Sequence, residues 1–144
     1  MAITSKMYGN FLLKALNKEV DWNTDTIKVM LCTSGYSPNQ DTHIYKSSVT
    51  NEVVGTAYTA GGITLANKTI SYLPDSNIVK LDADDVVWGT STITARYAVI
   101  YISTGTDSTS LLIGYVDFGS DLSSTATNFL ITWFTSGMFL ISTP

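Results

Sequence analysis

The strongest constraint on this chain lies near its middle, in the stretch DADDVVWGTSTITARYAVIY at residues 82–101. From Ile93 onward the side chains alternate. Ile93, Ala95, Tyr97, Val99 and Tyr101 fall on one face of an extended strand, and Thr94, Arg96, Ala98 and Ile100 on the other. Both faces are mostly apolar, which predicts a strand covered on both sides. Gly89 reads as a turn that separates this strand from a shorter run ending in Trp88. Arg96, the only arginine, must then find a partner, because an unpaired charge on a covered strand is prohibitively expensive. The acidic cluster Asp82, Asp84 and Asp85 is the nearest supply, so the expected structural ion pair joins Arg96 to Asp84 or Asp85.

The rest of the chain reads as strands and turns around that element. Residues 5–20 carry the one helical pattern, with Met7, Phe11, Leu12, Ala15 and Leu16 on one stripe and Lys14 and Lys18 opposite. Thr4 or Ser5 caps it, while Gly9 and Asn10 weaken its first turn. Its apolar stripe is a core face or an arm that docks on a partner subunit. Residues 26–32 alternate as a strand. The polar excursion at residues 33–53 follows, and a loop of that length is unusual unless it has a job. Within it His43 is alone, without a second histidine or a nearby cysteine, and is expected to be solvent-exposed. The Gly61-Gly62 pair turns the chain into a strand at residues 63–72, and residues 78–81 form the next. Residues 111–118 are expected to pair with the central strand as a hairpin, residues 119–127 to be a turn region, and residues 129–134 and 138–141 to close the fold as a second hairpin. The sum is a single mainly β domain over residues 1–144, an antiparallel β-sandwich or jelly-roll-like domain of about eight strands, with residues 1–20 as a helical N-terminal segment.

Composition excludes several kinds of function. Net charge is −4, and the eight Lys and Arg residues are scattered, whereas a nucleic-acid surface needs them clustered. One cysteine, Cys32, allows neither an intrachain disulfide nor a cysteine-based zinc site, and its alternating context predicts a buried thiol. No apolar run is long enough to span a membrane and no signal peptide is evident, so the expectation is a soluble chain made in a cytoplasm. Charged residues are only 14% of the chain, against a usual ~25%, which suits surfaces that pack on neighbours.

Catalytic and ligand-binding patterns fare poorly. Asp82 and Asp84 alternate on an extended segment and are placed for a shared cation or an acid/base pair, but no further oxygen ligands follow at calcium-loop spacing. A solvated cluster, or one paired with Arg96, is the better reading. The glycines at 55, 61 and 62 lack the Gly-Lys-Ser/Thr of a phosphate loop, and the abundant hydroxyls have one histidine and no nucleophile elbow. The Asn67-Lys68-Thr69 sequon is taken as chance in a chain with no secretory route. Trp22, Trp88 and Trp133 offer a sugar-stacking surface or, more simply, core. No enzyme, no metal and no cofactor is expected.

Residues 1–43, 51–72, 82–101 and 111–133 together resemble a family of small proteins encoded in tailed-bacteriophage genomes, a likeness that covers most of the chain. Members of that family look like virion structural components. The resemblance therefore implies a capsid decoration (cement) protein bound across seams of the head, with a tail or head-fibre component that binds host-surface glycans as the second reading. It also implies as partners the major capsid protein or other virion proteins, and a virion location. A homo-oligomer, with a trimer favoured, is the symmetric solution for such a protein. It brings no catalytic residues. The candidate contacts are the N-terminal segment and the excursion at residues 34–48, with Phe11, Leu12, Trp22, Tyr36 and Tyr45 as the candidate interaction residues.

Overall fold

Alternating apolar residues fold here into two antiparallel sheets, in a computed structural model that describes residues 2–144. In chain order the elements are β1 (Thr4–Met7), α1 (Gly9–Leu16), β2 (Ile27–Cys32), a 3-10 turn (Lys46–Ser48), β3 (Ile63–Thr64), β4 (Thr69–Leu73), β5 (Ile78–Asp82), β6 (Val86–Ile102), β7 (Leu112–Ile131) and β8 (Phe139–Ser142). The larger sheet runs β1-β7-β6-β2-β3 and the smaller β4-β5-β8. The fold is thus mainly β, sandwich-like, with one short N-terminal helix.

Over β2 and the second half of β6 the larger sheet has two covered faces, as their two-sided alternation requires. On one face Ile27, Val29 and Leu31 of β2, Ala98 and Ile100 of β6 and Ile113 of β7 meet Leu81 of β5 and Phe139 of β8, with Trp22 and Trp88 filling the same core. On the other, Met30, Cys32, Val99, Tyr101 and Leu112 lie beneath Tyr8 and Tyr36. The excursion after β2 supplies much of that cover. It then returns to the sheet through a bridge between Cys32 and Glu52, and Gly62 crosses the β2 backbone where no side chain fits: a Cβ there would lie 1.8 Å from the Val29 carbonyl oxygen, and its φ is +79°.

Five expectations are corrected. Residues 4–7 are not helical; they form the edge strand β1, paired with β7 from Thr4↔Asp117 to Met7↔Gly114, and the helix is confined to Gly9–Leu16. Gly89 does not turn the chain, and residues 119–127 are not a turn region, because β6 and β7 run through both as one long hairpin. The residues read as punctuation mark bulges instead, with register shifts between Trp88 and Ser91, between Ser91 and Ile93 and between Ala95 and Tyr97, and positive φ at Thr90, Gly119 and Ala126. The last segment does not close on β7; β8 pairs with β5, from Ile78↔Ser142 to Leu81↔Phe139. Finally, residues 63–72 break at Asn67, whose φ is 51°, into β3 in one sheet and β4 in the other.

Candidate interaction surface

Arg96 binds a different carboxylate from the one expected. Its Nε donates to Asp117 Oδ1 at 2.7 Å, on the adjacent strand β7, where Asp117 also accepts the Gly119 N–H at 2.8 Å. The guanidinium holds the Asp117 carboxyl below its ordinary range, and the backbone donor adds to the effect. The correction has a simple cause. A strand presents its side chains to the neighbouring strand a few ångströms away, whereas residues 84 and 85 lie ten or more positions back along the same chain.

The acidic cluster itself is divided among three separate tasks. Asp82 pairs with Lys80 at 3.1 Å, Asp84 Oδ2 accepts from Asn67 Nδ2 at 2.6 Å, and Asp85 Oδ1 accepts the Trp133 N–H at 2.9 Å. Asp84 and Asp85 thus tie separate segments together, while Asp82 pairs with a lysine on its own strand. Among the described residues no three His, Cys, Asp or Glu side chains are grouped to hold a metal ion. No helix among them is long and apolar enough to cross a membrane.

Of the five candidate interaction residues, three are buried within the chain. Phe11 and Trp22 belong to the main core, and Tyr36 is 1% exposed beneath the excursion. Only Leu12 is exposed, and Tyr45 is half-buried under the Lys14 ammonium, 5.7 Å from its ring centroid. Of the helical stripe, read as a core face or a docking arm, Phe11 is the one buried residue within α1, while Leu12 and Leu16 face outward, as does Leu13 beside them.

Tyr36 is instead the centre of a buried polar chain. The Tyr8 and Tyr36 hydroxyls are 2.8 Å apart, and the Tyr36 oxygen lies 3.0 Å from His43 Nδ1. The Asn39 N–H also points at Nδ1, at 3.4 Å, which makes that nitrogen the acceptor and orders the donors from Tyr8 to Tyr36 to His43. His43 is therefore half-buried and stacked on Tyr36 rather than free in solvent as expected. Burial pushes the Tyr36 phenol up to about 12 and raises Tyr8 further. Cys32, beneath them, is buried as expected, and its thiol is raised to about 12 chiefly by burial. A second set anchors the return of the excursion: Tyr58 donates to Glu52 Oε1 at 2.8 Å and accepts the Leu31 N–H at 2.9 Å, and Tyr101 donates to the Gly61 carbonyl at 2.7 Å. All these hydroxyls hold the chain to itself.

The surface left open is elsewhere. A cleft of about 250 Å³ lies beside β1 and the end of β7, lined by Ile3, Phe118, Leu122, Leu130, Phe134 and Met138 among others. Phe134 is 72% exposed and Leu130 59%, with Ile3 and Leu122 also at the surface. Sequence reasoning missed these residues because it paired residues 129–134 with 138–141 as a closing hairpin, whereas residues 129–131 end β7 and β8 pairs with β5. The available signal was the stretch NFLITWF, apolar on both alternating faces. Phe129 and Ile131 point into the core, and Leu130 and Phe134 are left outside.

No protein-family model, no curated protein and no solved structure matches this chain.

Proposed function

We propose that this chain is a bacteriophage virion structural protein that decorates the head, binding across seams between capsomers and cementing them. The observation that carries the proposal is the apolar cleft at Leu130 and Phe134, open on a chain that covers its other large apolar face with its own excursion. Apolar side chains gathered in one place and left in water mark a contact surface. A cement function needs such a surface. The low share of charged residues and the net charge of −4 support a position on the outside of a shell, away from packaged DNA. The resemblance of most of the chain to small tailed-phage virion proteins points the same way.

Binding only the assembled lattice favours that lattice by mass action, by RT ln(1 + [L]/Kd). The glycan-binding alternative has less to stand on, since Trp22 and Trp88 are packed in the core and Trp133 spends its indole N–H on the Asp84 carbonyl. The test is to add the purified chain to heads that lack it and follow rupture by heat or pressure. A rise in the rupture threshold that is lost in the double variant Leu130→Ser, Phe134→Ser is the expected result. Binding without any change in rupture, or no binding, overturns the cement reading.

A further inference from the structure

Four strands lie at the edges of the two sheets, and three of them are protected. An open edge is a row of unpaired N–H and C=O groups, which proteins blunt with charge, shortness, or cover. β1 carries Lys6, β3 is two residues long, and β8 faces β1 across a narrow cleft of about 230 Å³. β4 has none of these devices. Its sequence is Thr-Ile-Ser-Tyr-Leu, without a charge, a proline or a glycine, and all five residues are exposed although β5 is paired along its other side.

The side chains of β4 continue a row that begins in the core. Phe139 of β8 lies opposite Leu81 of β5, and Leu81 opposite Ile70 of β4. Ile141, Val79 and Tyr72 form the parallel row. Phe139 and Leu81 are buried, but Ile70 and Tyr72 remain about half exposed, at 48% and 54%. The apolar face of the small sheet thus runs out past the chain's own cover and stops at an unpaired edge.

We infer that β4 pairs antiparallel with β4 of a second copy of this chain, about a two-fold axis through Ser71, joining the two small sheets into one six-stranded sheet. The sequence is self-complementary in that register. Ile70 faces Tyr72 of the other copy, and Tyr72 its Ile70, so the contact holds two aromatic/β-branched cross-strand pairs of the stabilising kind. Lys68 falls opposite Pro74 and Asn67 opposite Asp75, so no like charges meet. The rows Phe139–Leu81–Ile70 and Tyr72–Val79–Ile141 then become continuous across the axis. The contact is isologous and closes after two copies, so it is not the contact of a three-fold ring; it forms a dimer, or joins two rings where a three-fold contact also exists. It stands independently of the virion reading, since it concerns copies of this chain alone.

Two variants and the unmodified chain test it together. Ser71→Cys places two thiols directly opposite, with Cα atoms about 4.5–5.5 Å apart, within disulfide reach. Thr69→Cys places them two residues to either side of the axis, roughly 14 Å apart and beyond reach. Cys32 is fully buried and does not compete. The expected results are an interchain disulfide on mild oxidation for Ser71→Cys and not for Thr69→Cys, and a sedimentation mass that is an even multiple of the chain and is halved by Ile70→Lys. Ile70 is half exposed, so that charge leaves the fold intact, as circular dichroism would verify. A mass of one chain for the unmodified protein overturns the inference. So does equal crosslinking of the two cysteine variants, or a mass that Ile70→Lys leaves unchanged, which would mean that a different surface joins the copies.

Discussion

The two large apolar surfaces of this molecule are finished in opposite ways. Over Met30, Cys32, Val99 and Leu112 the chain lays its own excursion, and satisfies the hydroxyls it buries there through the Tyr8–Tyr36–His43 chain. Beside Leu130 and Phe134 none of the described residues gives such cover. The difference is not a shortage of chain, because residues 33–62 spend most of their length covering and edging a sheet. Apolar exposure in one place, on a protein able to cover such exposure in another, is what the proposed contact surface rests on.

The contrast breaks most readily on the covered side. Tyr36→Ala removes a fully buried ring and is expected to lower unfolding free energy by about 3–5 kcal/mol, measured by denaturant melts. Tyr36→Phe keeps the ring and removes only the oxygen that joins Tyr8 to His43. It should cost about 1–3 kcal/mol, because the buried Tyr8 hydroxyl loses its partner. If the two substitutions cost the same, the polar chain, rather than packing, is what holds the cover down.

Alkali probes the same region without mutation. The Tyr36 and Tyr101 phenols are raised from 10.0 to about 12 by burial, so the folded state holds their protons while the unfolded chain releases them. Their contribution to stability is fully present below pH 10 and is lost as pH rises through 12. A spectrophotometric titration should accordingly show a set of tyrosines that ionise only with unfolding. On the acid side Asp117 behaves in the opposite sense. Its carboxyl is held low by Arg96, so its contribution is present above the ordinary carboxylate range and disappears as pH falls through the lowered value. Asp117→Asn should flatten the acid limb of the stability curve and leave the alkaline limb unchanged. The smallest effect on stability belongs to the open side: Leu130→Ser or Phe134→Ser should move unfolding free energy by no more than about 0.5 kcal/mol. A large loss there would mean that these residues hold the fold together and are not spare surface.

Much of the fold was legible in the residues, and the parts that were not share a cause. Period-two alternation identifies β2, the second half of β6 and the start of β7, and fixes the mainly β class, because side-chain direction in a strand follows from the backbone alone. Gly89 and the Ser, Thr and Asp run after Gly119 were misread because residues that end strands also form bulges within them. Only the pairing partner distinguishes the two, as when the Thr90 N–H finds Asn128 Oδ1 across the hairpin. The partner of Arg96 was missed for the same reason: Asp117 is near only once β6 and β7 have paired. Phe11, Trp22 and Tyr36 carried the right chemistry for contact, but cover is a tertiary property and no local pattern records it. Leu130 and Phe134 were visible as apolar residues, and their exposure was not.

The most direct test of the contrast is hydroxyl-radical footprinting of the chain alone and of the same chain added to the particle that the proposed function assigns it. Leu130 and Phe134 are expected to be labelled strongly when the chain is alone and protected in the particle, while Tyr8 and Tyr36 stay weakly labelled in both. Equal labelling of Leu130 and Phe134 in the two states would contradict the account, since the surface left bare would then have no partner.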